Sequence, residues 1–109
     1  MTIKNNETSV KKLTIKGDYV GFSDFYGINK SIIYKNIIDL FGDFKNKDKT
    51  NLILILSAKI KELNWETELK FNRKETIVLV RDIMPHFENI EDYETCGKIQ
   101  SLYSEIEKI

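Results

Sequence analysis

The clearest pattern in the chain is an alternation of uncharged and charged residues from position 65 to position 71. The uncharged positions are Trp65, Thr67, Leu69 and Phe71. A period of two is typical of a β-strand that buries one face. A shorter alternation predicts a second strand over residues 10–16, which Gly17 and Asp18 end in a turn.

Two long segments carry apolar residues at the spacing of an α-helix. The first begins at Phe22, and Gly42 and the polar run 45–49 mark its end. We predict that Ser23 caps its amino-terminal end. Its apolar stripe consists of Tyr26, Ile33, Ile37, Leu40 and Phe44, widened by Phe25 and Ile32. The last segment begins at Asn89, which forms a capping-box pattern with Asp92. Its apolar arc consists of Cys96, Ile99, Leu102, Tyr103 and Ile106.

Two further segments fit either a helix or a strand. The apolar run 52–56 suits a buried strand, but the length of the segment 50–63 and the apolar spacing within it favour a helix. Residues 75–84 contain a run that favours β-structure, with residues 72–74 as a hairpin loop. Continuation of the apolar pattern up to Pro85 favours instead a helix that ends before the proline. We favour a helix in both segments, with a strand as the alternative.

The predicted order is therefore strand, helix, helix, strand, helix, helix. Strands joined only through helices imply an α+β fold, a single small domain with about four helices packed on a two- or three-stranded sheet. We assign residues 10–109 to this domain and residues 1–9 to a flexible lead-in. One or both strands are expected to be sheet edges that another chain can pair with, so a homodimer is one expected assembly.

The opening of the chain resembles the start of a small bacterial domain family. The residues that carry the resemblance are Ile15, Lys16, Gly17, Asp18, Tyr19, Phe22, Phe25 and Tyr26. Members of that family begin with a strand, a Gly-Asp-Tyr turn and a helix with an aromatic pair, and their later layout is similar. The resemblance implies a helix over residues 75–84, and it implies no activity because the family has none assigned. This chain has a shorter segment around the middle strand.

Composition and charge argue against several classes of function. The 109 residues contain 17 basic and 17 acidic side chains, and a formal net charge of zero argues against nucleic-acid binding. The single cysteine excludes an internal disulfide and a multi-thiolate metal site, and we expect no metal and no cofactor. The longest apolar run is far shorter than the ~20 residues that a membrane-spanning helix needs. We find no export signal and expect a cytoplasmic protein.

No group of residues matches a known catalytic arrangement. His86 is the only histidine and follows Pro85, so we expect an exposed and inert histidine in a loop. Cys96 lies on the apolar arc of the last helix, where we expect it to pack in the core. A phosphate-binding loop at Gly17 is excluded because no Gly-Lys-Ser or Gly-Lys-Thr sequence follows it. We therefore predict that the protein is not an enzyme and has no catalytic residue.

The acidic stretch 87–94 is the best candidate for a binding site. It contains Glu88, Glu91, Asp92, Tyr93 and Glu94, and it contains no basic residue. Acidic residues near a helix amino-terminus stabilise the helix by ~0.3–1 kcal/mol each, which accounts for Glu91 and Asp92 without any partner. An exposed Tyr93 among carboxylates is instead typical of a contact with a basic protein surface.

The leading hypothesis is a non-enzymatic bacterial or phage protein-binding module, similar to an immunity protein or an antitoxin. It would occlude another protein, such as a toxin or effector, with the acidic and aromatic residues of this stretch. The alternatives are a homo-oligomeric structural subunit and a small ligand-binding protein that uses Asp18 and Tyr19 in the turn after Gly17.

Overall fold

The computed structural model of the chain describes residues 8–45 and 49–107, so residues 1–7 of the predicted lead-in lie outside the described part. The elements are β1 (Thr8–Tyr19), α1 (Phe22–Phe41), a 3-10 turn (Gly42–Lys45), β2 (Asn51–Ile60), β3 (Leu63–Asn72), α2 (Arg73–Asn89) and α3 (Tyr93–Glu107). β1 begins at Thr8, two residues before the predicted start of the domain. Residues Thr8 and Ser9 belong to the strand because they pair in register with the first residues of β2.

β2 is the central strand of a three-stranded sheet in the order β1-β2-β3. β1 pairs parallel with β2, and α1 lies in the crossover connection that a parallel pair requires. β2 pairs antiparallel with β3 through the two-residue turn of Lys61 and Glu62. Their φ angles of 54° and 66° are those of a type I′ hairpin turn. The strand predicted at residues 65–71 is confirmed within β3.

β2 corrects the prediction of a helix over residues 50–63. Every second side chain of the strand is buried, namely Leu52, Leu54, Leu56, Ala58 and Ile60. On the other face, Ile53 and Ile55 are half-buried. On this open face Ile53 and Ile55 are flanked by side chains of β1 and β3, so the strand carries apolar residues on both faces and its sequence does not alternate. The α+β class is confirmed, with a three-stranded sheet and three α-helices rather than four in the described ranges.

The helices pack on the face of the sheet that carries the buried side chains of β2. The fully buried large residues of this core are Phe25, Ile38, Phe41, Phe44, Leu52, Leu54, Leu56, Val80, Ile83, Phe87 and Ile99. The opposite face of the sheet carries a mixture of apolar and charged side chains, including Val10, Ile55, Glu68 and Lys70, which are exposed or half-buried. The fold therefore has two layers, with helices on one side of the sheet.

Most of the predicted apolar stripe of α1 is buried, with two exceptions. Tyr26 and Ile32 are 40 % and 46 % exposed, because the helix turns Phe25 rather than Tyr26 into the core. The prediction that Ser23 caps the helix is wrong. Gly21 is the residue at the N-cap, and no side chain of the described residues caps this end of the helix.

The helix predicted over residues 75–84 is confirmed, and α2 extends beyond it at both ends. The Asn72 side chain accepts a hydrogen bond from the N–H of Glu75 at 2.8 Å and so caps the helix, and its amide donates one to the Glu75 carboxylate at 2.8 Å. Residues 72–74 therefore supply the N-cap and the first residues of the helix and do not form a hairpin loop. Pro85 lies inside the helix rather than after it, and burial of Phe87 in the core offsets the lost backbone hydrogen bond.

Candidate functional site

The turn between α2 and α3 has the backbone hydrogen bonds of a Schellman motif. The N–H of Glu91 donates to the carbonyl of Glu88 at 3.1 Å, and the N–H of Asp92 donates to the carbonyl of Phe87 at 2.9 Å. Glu91 has a φ of 59°, the left-handed conformation of the residue that follows the helix cap in this motif. Glycine is usual there because a side chain costs roughly 1–2 kcal/mol in this conformation. A glutamate therefore occupies a position that favours glycine.

Asp92 caps the amino-terminal end of α3. Its carboxylate accepts hydrogen bonds from the N–H of Thr95 at 3.2 Å and from the hydroxyl of Thr95 at 2.8 Å, and it pairs with Lys35 at 3.2 Å. The two hydrogen bonds from Thr95, together with Lys35, hold the pKa of Asp92 below its ordinary value. The predicted capping box that begins at Asn89 is wrong, because Asn89 is the last residue of α2. The Asp92 carboxylate is thus engaged within the fold.

The other residues selected from the stretch reach solvent. Tyr93 is 66 % exposed, and the side chains of Glu88, Glu91 and Glu94 are exposed. None of these three carboxylates forms an ion pair with a residue that the structure describes. Ile90, which was not selected from the sequence, is 51 % exposed among them. The available signal in the sequence was a single apolar residue within the acidic stretch. We refer to Glu88, Ile90, Glu91, Tyr93 and Glu94 as the acidic surface.

A groove of about 450 Å³ between α2 and α3 leads away from the acidic surface. Glu88 lines the groove at the end that faces this surface, and Met84 and Pro85 form part of its wall. At the other end, the Arg81 guanidinium donates a hydrogen bond to the Tyr103 hydroxyl and lies 5.5 Å from the centre of that ring. The groove therefore combines apolar walls with a carboxylate at its mouth.

Asp18 stabilises the hairpin turn between β2 and β3 through a hydrogen bond. Its carboxylate accepts a hydrogen bond from the N–H of Glu62 at 3.0 Å, and the N–H of Lys61 donates to the carbonyl of Tyr19 at 2.7 Å. Lys61 and Glu62 both adopt the left-handed conformation, which non-glycine residues keep only where neighbours hold them there. The carboxylate that the ligand-binding alternative requires therefore has a structural role in the described residues.

Tyr19 packs over a bulge in β1, and the strand continues through Gly17 and Asp18, so the prediction that these two residues end it in a turn is wrong. The Tyr19 hydroxyl donates to the carbonyl of Lys16 at 3.0 Å, and Gly17 has a φ of 117°, a conformation that side chains rarely adopt. A Cβ on Gly17 would also lie 3.1 Å from the Tyr19 hydroxyl oxygen. Asp18 and Tyr19 line a shallow cleft of about 380 Å³. The structure thus brings the two residues together, and ligand binding in this cleft stays a prediction.

His86 lies in α2 and is half-buried, so the expected exposed loop position is wrong. Its Nε2 is 2.8 Å from the Oγ of Ser31, and the rings of Tyr34 and Phe87 lie edge-on to the imidazole. Burial, and to a lesser extent the charge of Lys30, lowers the pKa of His86. A Ser–His pair acts as a nucleophile when a third group orients the imidazole. Among the described residues, no carboxylate is hydrogen-bonded to His86.

The lowered pKa of His86 predicts a pH-dependent stability. The unfolded chain takes up a proton near pH 6.5, whereas the folded chain resists protonation until a lower pH. The contribution of His86 to stability is therefore complete above pH 6.5 and is lost as the pH falls towards the folded pKa. We expect the difference in free energy of unfolding between the wild type and His86→Gln, measured by urea titration, to shrink over this range. A difference that stays constant or grows on acidification contradicts the prediction.

Cys96 is buried on the apolar side of α3, as predicted. Burial raises the pKa of its thiol, and the carboxylates of Glu88 and Asp92 raise the pKa further. A thiol with a raised pKa is mostly protonated at neutral pH and is a weak nucleophile. The geometry therefore supports a packing role for Cys96.

A cluster of aromatic rings lies at the amino-terminal end of α1 and was not predicted from the sequence. The Trp65 ring lies edge-on to Phe22 at 5.1 Å, to Phe25 at 5.7 Å and to Tyr26 at 6.2 Å, measured between ring centres. Phe25 is buried, whereas Phe22 is 48 % exposed. The spacing of the three residues on α1 was a signal for one helical face, but only the position of β3 brings Trp65 to it.

Comparison with family models, with curated proteins and with solved structures found no match for this chain. Within the described ranges, no three histidine, cysteine or acidic side chains are grouped so that they could hold a metal ion. None of the described helices has both the length and the apolar character needed to cross a membrane. The proposals below therefore depend on the geometry of the described residues.

Proposed function

We propose that the protein is a non-enzymatic protein-binding module that occludes a basic partner protein, as immunity proteins and antitoxins do. A toxin or effector of a bacterium or phage would be such a partner. The proposal rests mainly on Glu91, a carboxylate held at a glycine-favouring position of the Schellman turn beside the exposed ring of Tyr93.

The conformation of Glu91 supports a role in binding. A residue that adopts an unfavourable backbone conformation without contributing packing lowers stability, and such residues concentrate at functional sites. The Glu91 side chain is exposed and has no ion pair among the described residues, so no charged contact within this part of the chain offsets the cost. An exposed carboxylate of this kind is available to a partner.

The composition of the acidic surface fits a basic partner. Tyrosine supplies a large contact area at a small cost in side-chain entropy and is frequent among residues that dominate binding energy. Unpaired carboxylates accelerate the encounter with a positively charged protein, and the acceleration weakens with salt. The groove beside Glu88 has room for the aliphatic part of a lysine or arginine, whose charged end would meet the Glu88 carboxylate.

The surroundings of the most reactive side chains support a non-enzymatic role. The His86 imidazole is packed between aromatic rings and bonded to Ser31, and Cys96 is buried with a raised pKa. His86 joins α2 to α1 through Ser31, Cys96 lies in the core, and neither lines the groove or belongs to the acidic surface.

The proposal is tested by capture of a partner from a lysate of cells that make the protein, followed by calorimetry with the captured protein. We expect Tyr93→Ala to weaken binding at least tenfold, as is usual for a central aromatic residue. We expect Glu91→Gly to weaken binding while raising the free energy of unfolding by about 1 kcal/mol, because glycine removes the strain. Opposite effects of one substitution on binding and stability separate a binding role from a structural one.

A pair of charge reversals provides the control. Glu94 and Asp24 are both exposed acidic residues in the first turn of a helix, so Glu94→Lys and Asp24→Lys lose the same interaction with the helix dipole. We expect Glu94→Lys to reduce the affinity and its salt dependence, and Asp24→Lys to leave both unchanged. Equal affinities for the wild type and the Tyr93, Glu91 and Glu94 variants, or the lack of any specific partner, would rule out the proposal.

A further inference from the structure

We infer that two copies of the chain pair through the free edge of β3 and form one continuous six-stranded sheet. This inference is independent of the partner proposed above. β3 is an edge strand of ten residues with an uninterrupted register and no proline. A long regular edge of this kind is a template for pairing with another strand. The charges of β3 favour a second copy of β3 as the strand that pairs with this edge.

The other edge of the sheet is less suited to pairing. The register of β1 shifts between Thr14 and Asp18, where Gly17 forms the bulge described above. β1 also carries Lys11, Lys12 and Lys16. Bulges and lysines are devices that block strand addition, because they interrupt the ladder and repel a like-charged strand.

The hairpin turn determines which backbone groups of β3 are free. In a two-residue hairpin, the closing residues Ile60 and Leu63 bond to each other, and residue orientation then alternates along the strand. The N–H and C=O groups of Asn64, Glu66, Glu68 and Lys70 consequently point away from β2. No backbone group of the described residues bonds to these four residues on the outer side. They are available to an antiparallel partner strand.

The charges of β3 select one register for this partner. A two-fold axis at Thr67 places Glu66 opposite Glu68 twice, and an axis at Glu68 places that carboxylate opposite its own copy. An axis at Leu69 places Glu68 of each chain opposite Lys70 of the other, with no like-charged pair. Opposite charges in directly facing positions stabilise paired strands, and like charges destabilise them. The Leu69 register is therefore favoured.

Two observations on the single chain fit this register. Lys70 and Glu68 form an ion pair within the strand at 3.6 Å with highly exposed side chains, so both charged groups are available to a second strand. On the helix side of the sheet, a concavity of about 530 Å³ lies between Phe71 and Val78, and Val78 is 58 % exposed. A second β3 along this edge covers Leu69 and brings its own α2 towards Val78. The interface thus has both a polar ladder and an apolar part.

Sedimentation equilibrium of the full chain at several protein concentrations tests the inference. We expect a reversible monomer–dimer equilibrium for the wild type. Lys70→Glu should raise the dissociation constant at least about tenfold, because two attractive contacts of the Leu69 register become repulsive and no other register of β3 gains a pair of opposite charges. The double variant Glu68→Lys/Lys70→Glu should regain the wild-type dissociation constant, since the exchanged charges still face each other. Circular dichroism of each variant verifies that the chain is folded.

Lys12→Glu on β1 is the matched control, and we expect it to leave the dimer unchanged. A loss of assembly with Lys12→Glu, or growth beyond a dimer, would mean that β1 and β3 pair head to tail, and it would overturn the inference. A wild-type monomer at every concentration overturns it as well. So does a dimer that tolerates Lys70→Glu or that the double variant fails to restore.

Discussion

Replacement of Leu54 by alanine is expected to lower the free energy of unfolding by about 2–5 kcal/mol. Leu54 is fully buried in the central strand β2, between the sheet and the helices. Loss of its side chain removes buried apolar surface and leaves a cavity that the surrounding core fills only in part. Urea unfolding followed by circular dichroism measures the change.

Ile55→Ala is the matched control for Leu54→Ala. Ile55 is half-buried on the opposite face of β2, so its truncation is expected to cost about 1 kcal/mol or less. The pair also separates the two interpretations of residues 50–63. In a helix that faces the core with Leu52 and Leu56, residue 55 lies nearer to the core than residue 54. An equal or larger cost for Ile55→Ala would therefore contradict the strand.

The second large effect is expected for Phe25→Ala, which should cost about 3–5 kcal/mol. Phe25 is completely buried and contacts the rings of Tyr19 and Trp65 at centre distances of 5.1 and 5.7 Å. Edge-to-face contacts add about 0.5–1.5 kcal/mol to the burial of an aromatic ring. Urea unfolding measures the loss, and Trp65, the only tryptophan, reports on the same cluster by its fluorescence.

Phe22→Ala provides the comparison within the same cluster. Phe22 also contacts Trp65 edge-on, at 5.1 Å, but it is 48 % exposed. We expect its truncation to cost about 1 kcal/mol and to change the Trp65 emission with little loss of stability. If both phenylalanine variants lost the same stability, Phe25 would not have the buried position that the structure gives it.

The elements that could be predicted from the sequence are those with one face exposed to solvent and one face buried in the core. β3 alternates because the helices cover only one side of this edge strand, and α3 has an apolar arc because only one side of it meets the core. β2 has no such contrast between its two faces. The helices bury the side chains on one face, and Ile53 and Ile55 on the other face are half-buried between the side chains of β1 and β3. Its apolar run was therefore compatible with a helix until its two partner strands were known.

In the candidate site, too, one feature could be predicted from the sequence and others could not. The exposure of Tyr93 could be predicted from its position opposite the apolar arc of α3. The separate roles of Asp92 and Glu91 could not, because they depend on where α2 ends. α2 continues past Pro85 to bury Phe87, and the turn that follows makes Asp92 a cap and places Glu91 in a left-handed conformation.

The sequence by itself determined the α+β class, the first helix, the alternating strand and the last helix, because each has a periodic contrast between core and solvent. Only the tertiary structure decided that residues 51–60 form the central strand, that Pro85 lies within a helix, and which carboxylates of the acidic stretch remain in solvent. The physical reason is that these features depend on contacts between residues far apart in the chain. Pairing of β2 with β1 and β3, and packing of Phe87 in the core, outweigh the local preferences of the segments concerned.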